Sequence, residues 1–122
     1  MDKFELMNRT RQFAIMVFKL MDQLPKSEAA KVVTYQLLKS SSSVAANYRA
    51  ANRGKSDADF TNKIKIVLEE ADESHFWLTF IADVELLKKD SKELSLLIKE
   101  SNELTAIFTA SLKTLNRKKL NS

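Results

Sequence analysis

Asp72 and His75 stand three residues apart, which on a helix puts a carboxylate and an imidazole on one face, similar to one acid-x-x-histidine pair of a di-iron bundle. Such a site takes two of these pairs and two further glutamates. His75 is the only histidine of the chain, so two chains would have to share the metal. A histidine packed in an apolar stripe with one satisfied nitrogen is the simpler reading. The serines are numerous, but none stands in a G-x-S-x-G elbow, and the single glycine cannot build a phosphate-cradling loop. Glu69, Glu70, Asp72 and Glu73 could supply paired carboxylates, yet such a run on a helix mostly faces water, where carboxylates keep ordinary pKa values. Glu70 and Glu73 fall beside the apolar stripe and are expected to bond to Arg49 or Arg53 on the adjacent helix. No catalytic residue, metal, cofactor or small-molecule substrate is expected, and the chain is read as a non-enzyme.

The second chemistry open to these residues is the binding of anions. The formal net charge is +4. Residues 1–62 carry ten basic and six acidic groups and residues 63–122 ten of each, so the excess lies in the first half. Arg49, Arg53 and Lys55 cluster tightly, Lys63 and Lys65 follow, and the acidic run comes next, which gives the molecule a polar axis. These five are the candidate nucleic-acid contacts, since basic clusters attract phosphate backbones. A solvated helix face accounts for them as well. Arg117-Lys118-Lys119 also complements a helix dipole, which weakens it as evidence for a partner.

The elements that must position these groups are helices. In 122 residues there are one glycine, one proline and no cysteine, too few turn formers for a sandwich, a barrel or a doubly wound nucleotide fold. With 44% apolar and 30% charged residues the chain is globular in class. Its longest charge-free apolar runs, Gln12 to Phe18 and His75 to Ala82, are far too short to cross a bilayer, and charges at Asp2, Lys3 and Glu5 interrupt any signal peptide. A cytoplasmic location with no membrane contact is expected. Leu6, Phe13, Val17, Met21 and Leu24 recur at helical spacing over residues 4–23, with Ala14 and Phe18 widening the stripe, until Pro25. Ser27 can cap a second helix over 28–53, in which Val33, Leu37, Ser40, Val44, Asn47, Tyr48 and Ala51 keep the period through four consecutive serines. Ser56 opens a third helix over 57–89, with Phe60, Ile64, Val67, Leu68, Ala71, His75, Leu78, Ala82 and Leu86 on its main face. Ser91 repeats the capping pattern before a fourth over 91–117. A single all-α domain over residues 1–122 follows, an antiparallel up-down-up-down four-helix bundle.

The third helix holds more apolar residues than one seam can use. Ile66, Phe76, Trp77, Phe80, Val84 and Leu87 fall outside or at the margin of its main stripe, and the first five are the candidate oligomer interface. Since a bundle helix buries one stripe and turns the rest to water, a second aromatic stripe predicts contact between subunits.

From Gln36 to Leu78, the helix Ser40-Ser-Ser-Ser-Val-Ala-Ala-Asn47-Tyr48-Arg49 leads to Arg53-Gly54-Lys55-Ser56, Asp59-Phe60 and Ile66-Val67-Leu68-Glu69-Glu70-Ala71-Asp72-Glu73-Ser74-His75-Phe76-Trp77-Leu78. This order, with Phe4-Glu5-Leu6 and Leu24-Pro25 before it, resembles the 23S rRNA intervening-sequence proteins over essentially the whole chain. The resemblance implies a small antiparallel bundle assembled as a ring, a homopentamer, without enzymatic activity. Relatives include the accessory bundle of diversity-generating retroelements, a basic pentamer that binds nucleic acid. It further implies that Asn47 is a buried asparagine bonding across the bundle, Arg53 a basic residue closing helix two, and Phe60 an anchor opening helix three. Glu70, Glu73 and Trp77 would carry the acidic and aromatic signature. The chain departs from the pattern in having Ala50-Ala51 and delaying its glycine to Gly54. All these residues serve equally well to fix the fold, a buried polar group setting helix register and an aromatic filling one pocket. The function expected is that of a non-catalytic bundle acting through homo-oligomerisation and a macromolecular partner, RNA or a ribonucleoprotein. The alternative is a scaffolding oligomer with a protein partner and no nucleic-acid contact.

Overall fold

Every helix begins where a side chain takes one of the first free backbone N–H groups. A computed structural model describes residues 1–54, 56–88 and 90–120. α1 (Lys3–Met21) is capped by Asp2, whose Oδ1 accepts from the Glu5 N–H at 2.9 Å. Ser27 Oγ accepts from the Ala30 N–H at 3.2 Å to start α2 (Glu28–Ala51), and Ser56 Oγ from Asp59 at 3.1 Å to start α3 (Asp57–Asp83). α4 (Lys92–Leu120) opens with Ser91 Oγ accepting from the Leu94 N–H at 3.2 Å. The four serines of α2 stay helical: the Ser42 hydroxyl donates to the Leu38 carbonyl at 2.7 Å, the back-bond that lets serine sit inside a helix.

α3 ends at Asp83, short of the expected run to about residue 89, although no glycine or proline stands there. Glu85 takes a positive φ of 57°, its N–H donates to the Ala82 carbonyl at 3.2 Å, and the Leu86 N–H donates to Ile81 at 3.1 Å. These paired bonds are a Schellman stop, normally built on glycine. With glutamate in the left-handed position, composition gives no sign of it.

The helices form an antiparallel up-down-up-down four-helix bundle. Each packs on its neighbours in sequence, α4 closes more sparsely on α1, and among the described residues no contact runs across a diagonal. Phe13, Leu20, Leu37, Ile64, Leu78, Ile81, Leu104 and Phe108 are fully buried between them, each contributing about 1.5–3 kcal/mol on leaving water. Phe18 does not widen the stripe of α1 as expected; it is 47% exposed, while Thr10 and Leu20 take the inward positions. The Thr10 hydroxyl is satisfied within its own helix by the Leu6 carbonyl at 3.0 Å.

The sparse α1/α4 seam is held by charge. Arg9 Nε donates to Glu100 Oε2 at 2.7 Å and Nη2 to Glu100 Oε1 at 2.6 Å, a two-pronged fork, and Nη2 also reaches Glu103 Oε2 at 2.6 Å. The Glu100 hydrogen bond raises the guanidinium pKa against the partial burial that lowers it, so Arg9 stays charged at any ordinary pH. No described helix is long and apolar enough to cross a membrane.

Candidate functional site

The register of α2 on α3 decides which charged groups can meet. Ser74 Oγ lies 2.9 Å from Ser40 Oγ and donates to the Glu70 carbonyl at 2.9 Å, with both serines fully buried. The helices are antiparallel and rise about 1.5 Å per residue, so counting nine residues from this contact brings Arg49 level with Lys65. Glu70 and Glu73 lie instead beside Lys39 and the serine run. The expected pairing of Glu70 or Glu73 with Arg49 or Arg53 is therefore not made: among the described residues no ion pair joins them. Burial pushes the half-buried Glu70 carboxyl above its ordinary range, and Glu73 adds to the rise, with Lys39 opposing it. Glu69, Asp72 and Glu73 are exposed, as a solvated acidic run would be.

His75 faces α4, where its Nδ1 lies 2.9 Å from Ser101 Oγ, and the Ser101 hydroxyl donates to the Ile98 carbonyl at 2.9 Å. The imidazole tautomer sets which of the two atoms donates in the shared bond. Among the described residues no three His, Asp or Glu side chains come together as metal ligands. Besides the Arg9 fork on Glu100 and Glu103, the side-chain hydrogen bonds that join different helices among the described residues are thus Ser40–Ser74 and His75–Ser101. Asn47 does not cross it: the side chain is half-buried, and its Nδ2 donates back to the Ser43 carbonyl at 3.0 Å and Ser43 Oγ at 2.8 Å. Asn47 sits on the flank of the stripe that Val44 and Tyr48 bury, one turn from its own acceptor, so the local bond wins. Phe60 is half-buried and packs against the core.

The basic residues gather at the end of the bundle where α2 turns into α3, but on different sides of it. Arg49 and Arg53 are exposed near the close of α2, Lys65 is exposed on α3, and Lys63 is half-buried. Lys55 lies outside the described residues. None of these four makes an ion pair among the described residues. Arg49 points into a groove of about 710 Å³ between α1 and α2, whose floor is opened by the small residues Ala14, Ser42, Ala45 and Ala46. The charged residues lining it are Arg11, Lys19 and Arg49, all cations, and Ile15 and Phe18 lie among them. This groove has no counterpart in the reading of the sequence; the surplus of small residues in α2 was its one visible sign.

On the opposite side of the core, α3 carries an exposed aromatic stripe. Phe76 is 53% and Phe80 36% exposed, with Ile66 and Val84 exposed before and after them. The Phe76 and Trp77 rings meet edge-on at 4.9 Å, Phe76 and Phe80 stack at 5.8 Å, and Trp77 meets Phe80 edge-on at 5.7 Å. Trp77 is half-buried and leans on the core, and its indole Nε1 is buried without a hydrogen-bond acceptor. A buried N–H left unmade costs about 1–3 kcal/mol.

The chain matches the family model described as 23S rRNA-intervening sequence protein over residues 2–110. It is also similar to the crystal structure of a protein of unknown function from the S23 ribosomal protein family of Bacteroides thetaiotaomicron, with a TM-score of 0.78 and 28% identity, covering 88% of this chain and 97% of that one. Among curated proteins there is no match.

Proposed function

This chain belongs to the 23S rRNA-intervening sequence protein family, and from that premise we propose that it is a non-catalytic bundle that works by assembling with copies of itself and engaging a macromolecular partner, RNA. The observation that carries the reading is the stripe of Ile66, Phe76, Trp77, Phe80 and Val84. Four of these are exposed although apolar, and the Phe76 and Phe80 rings pack with that of Trp77 along the outer face of the helix. The assembly is a homo-oligomer in the cytoplasm, five copies being the number the family resemblance implies.

The nucleic-acid part of the reading rests on Arg53, Lys63 and Lys65, unpaired among the described residues at one end of the bundle. Repetition around a ring would multiply a weak patch into a polyvalent one. Arg49, turned into the α1/α2 groove, favours the second reading in part, a scaffolding oligomer without nucleic-acid contact.

Fluorescence anisotropy of a structured RNA separates them. If about four phosphates are contacted, raising salt from about 50 to 200 mM weakens binding on the order of 100-fold, and Arg53→Glu with Lys65→Glu flattens that slope. No binding at about 50 mM salt removes RNA as the partner and leaves the scaffold.

A further inference from the structure

The α1/α2 groove and the outer face of α3 are complementary to each other, and one chain cannot bring them together. In the groove the two arginines share an end: α1 and α2 run antiparallel, so Arg49, late in α2, lies with Arg11 in the first half of α1, and Ile15 and Phe18 follow toward the other end, where the third cation, Lys19, stands next to Phe18. From Arg11 to Phe18 is seven residues, about 10 Å along the helix. On α3 the order repeats with opposite charge. Glu69 and Glu73 come first, then Phe76 and Phe80, and all four fall within about 60° of one another around the helix at 100° per residue. The midpoint of the glutamates is again seven residues, about 10 Å, from the midpoint of the phenylalanines. Both glutamates and both arginines are exposed, and none has an ion pair among the described residues. Phe18 and Phe76, 47% and 53% exposed, are large apolar side chains that the chain itself leaves half open to water.

We infer that the α3 face of one copy seats in the α1/α2 groove of the next, with Glu69 and Glu73 at Arg11 and Arg49 and with Phe76 and Phe80 at Ile15 and Phe18. The inference rests on the oligomeric reading above and specifies its interface. The contact joins two different surfaces, so it is head-to-tail, the kind that closes rings or runs on as filaments, and not a two-fold pairing. It also uses Arg49 for assembly, which leaves Arg53, Lys63 and Lys65 for a polyanion.

The test is a charge swap read as mass by sedimentation velocity across about 1–100 µM full-length protein, with circular dichroism checking that each variant is folded. Glu69→Arg with Glu73→Arg, and separately Arg11→Glu with Arg49→Glu, each put like charges together and should weaken assembly at least about tenfold. The fourfold variant restores opposite charges with the sides exchanged and should regain the wild-type mass. The pairing is overturned if the groove variant assembles like wild type while the α3 variant dissociates, which leaves an oligomer built on another surface. It is equally overturned if the fourfold variant stays as dissociated as its parents, or if the groove variant loses RNA affinity at unchanged mass. A wild-type protein that is monomeric over the whole range removes both this interface and the oligomeric reading.

Discussion

Replacing Ser74 by alanine should cost more than the lost hydroxyl itself, because of what it leaves behind. In the native bundle Ser74 Oγ stands 2.9 Å from Ser40 Oγ with both residues fully buried, and the other acceptor within reach of Ser40 is the Leu37 carbonyl at 3.4 Å, the weak limit of a hydrogen bond. Ser74→Ala therefore strands the Ser40 hydroxyl at about 1–3 kcal/mol, of which the better helix propensity of alanine returns about 0.5 kcal/mol. A net loss of about 1.5 kcal/mol is expected. Ser40→Ala behaves differently, since Ser74 keeps its 2.9 Å bond to the Glu70 carbonyl, and its cost stays below about 0.5 kcal/mol. In the Ser74→Ala background the same Ser40→Ala change should stabilise by about 1–2 kcal/mol, since it removes the stranded group. Urea unfolding followed by far-ultraviolet circular dichroism measures all four corners of the cycle, at one protein concentration because association adds to apparent stability. If Ser40→Ala costs the same in both backgrounds, the two hydroxyls are not coupled. The α2/α3 register that puts Arg49 level with Lys65 then loses its polar pin.

Further outcomes follow from the seams and ends of the helices. Arg9→Met should destabilise by about 1–2 kcal/mol by leaving Glu100 and Glu103 facing each other unpaired, and the loss should shrink in high salt, as urea unfolding at two ionic strengths would show. Glu85→Gly should raise stability by about 1 kcal/mol, measured as a higher Tm, because glycine adopts the left-handed stop at φ 57° without strain. The raised pKa of Glu70 means that the folded state holds its proton more tightly than the unfolded chain, so the stability tied to it is present below about pH 4.5 and lost as pH rises through the folded value. Glu70→Gln should accordingly be more stable than wild type at pH 7, with the difference closing toward pH 4 in thermal melts.

The helices and their order were legible because each carries both signals a reader can use, an apolar period near 3.6 and a serine or aspartate at its head. Ser27, Ser56 and Ser91 are examples. The end of α3 was not legible, because its stop is set by a glutamate in a conformation that glycine usually marks. Phe18 stands one turn after Ala14 and so reads as widening the stripe, but the partner helices fix the inward direction on Thr10, Val17 and Leu20. The ion pairs assigned to Glu70 and Glu73 failed on register: the sequence says that acidic and basic groups lie on adjacent helices, and only the Ser40–Ser74 contact says at which level. Asn47 shows the same limit at smaller scale, since an amide near a seam can bond across it or back to its own turn, and here the closer acceptor took it. The groove between α1 and α2 arises from pairing two helices whose facing residues are small, a property of neither helix alone.

The central claim is that the outer face of α3 is an interface between copies. Sedimentation velocity on the wild-type chain and on Phe76→Glu with Phe80→Glu addresses it most directly. The account predicts a wild-type particle of several times the 13.9 kDa chain mass at about 10 µM, and a folded variant at the mass of one chain. A wild-type particle of 13.9 kDa, or a variant that keeps the wild-type mass, would contradict it.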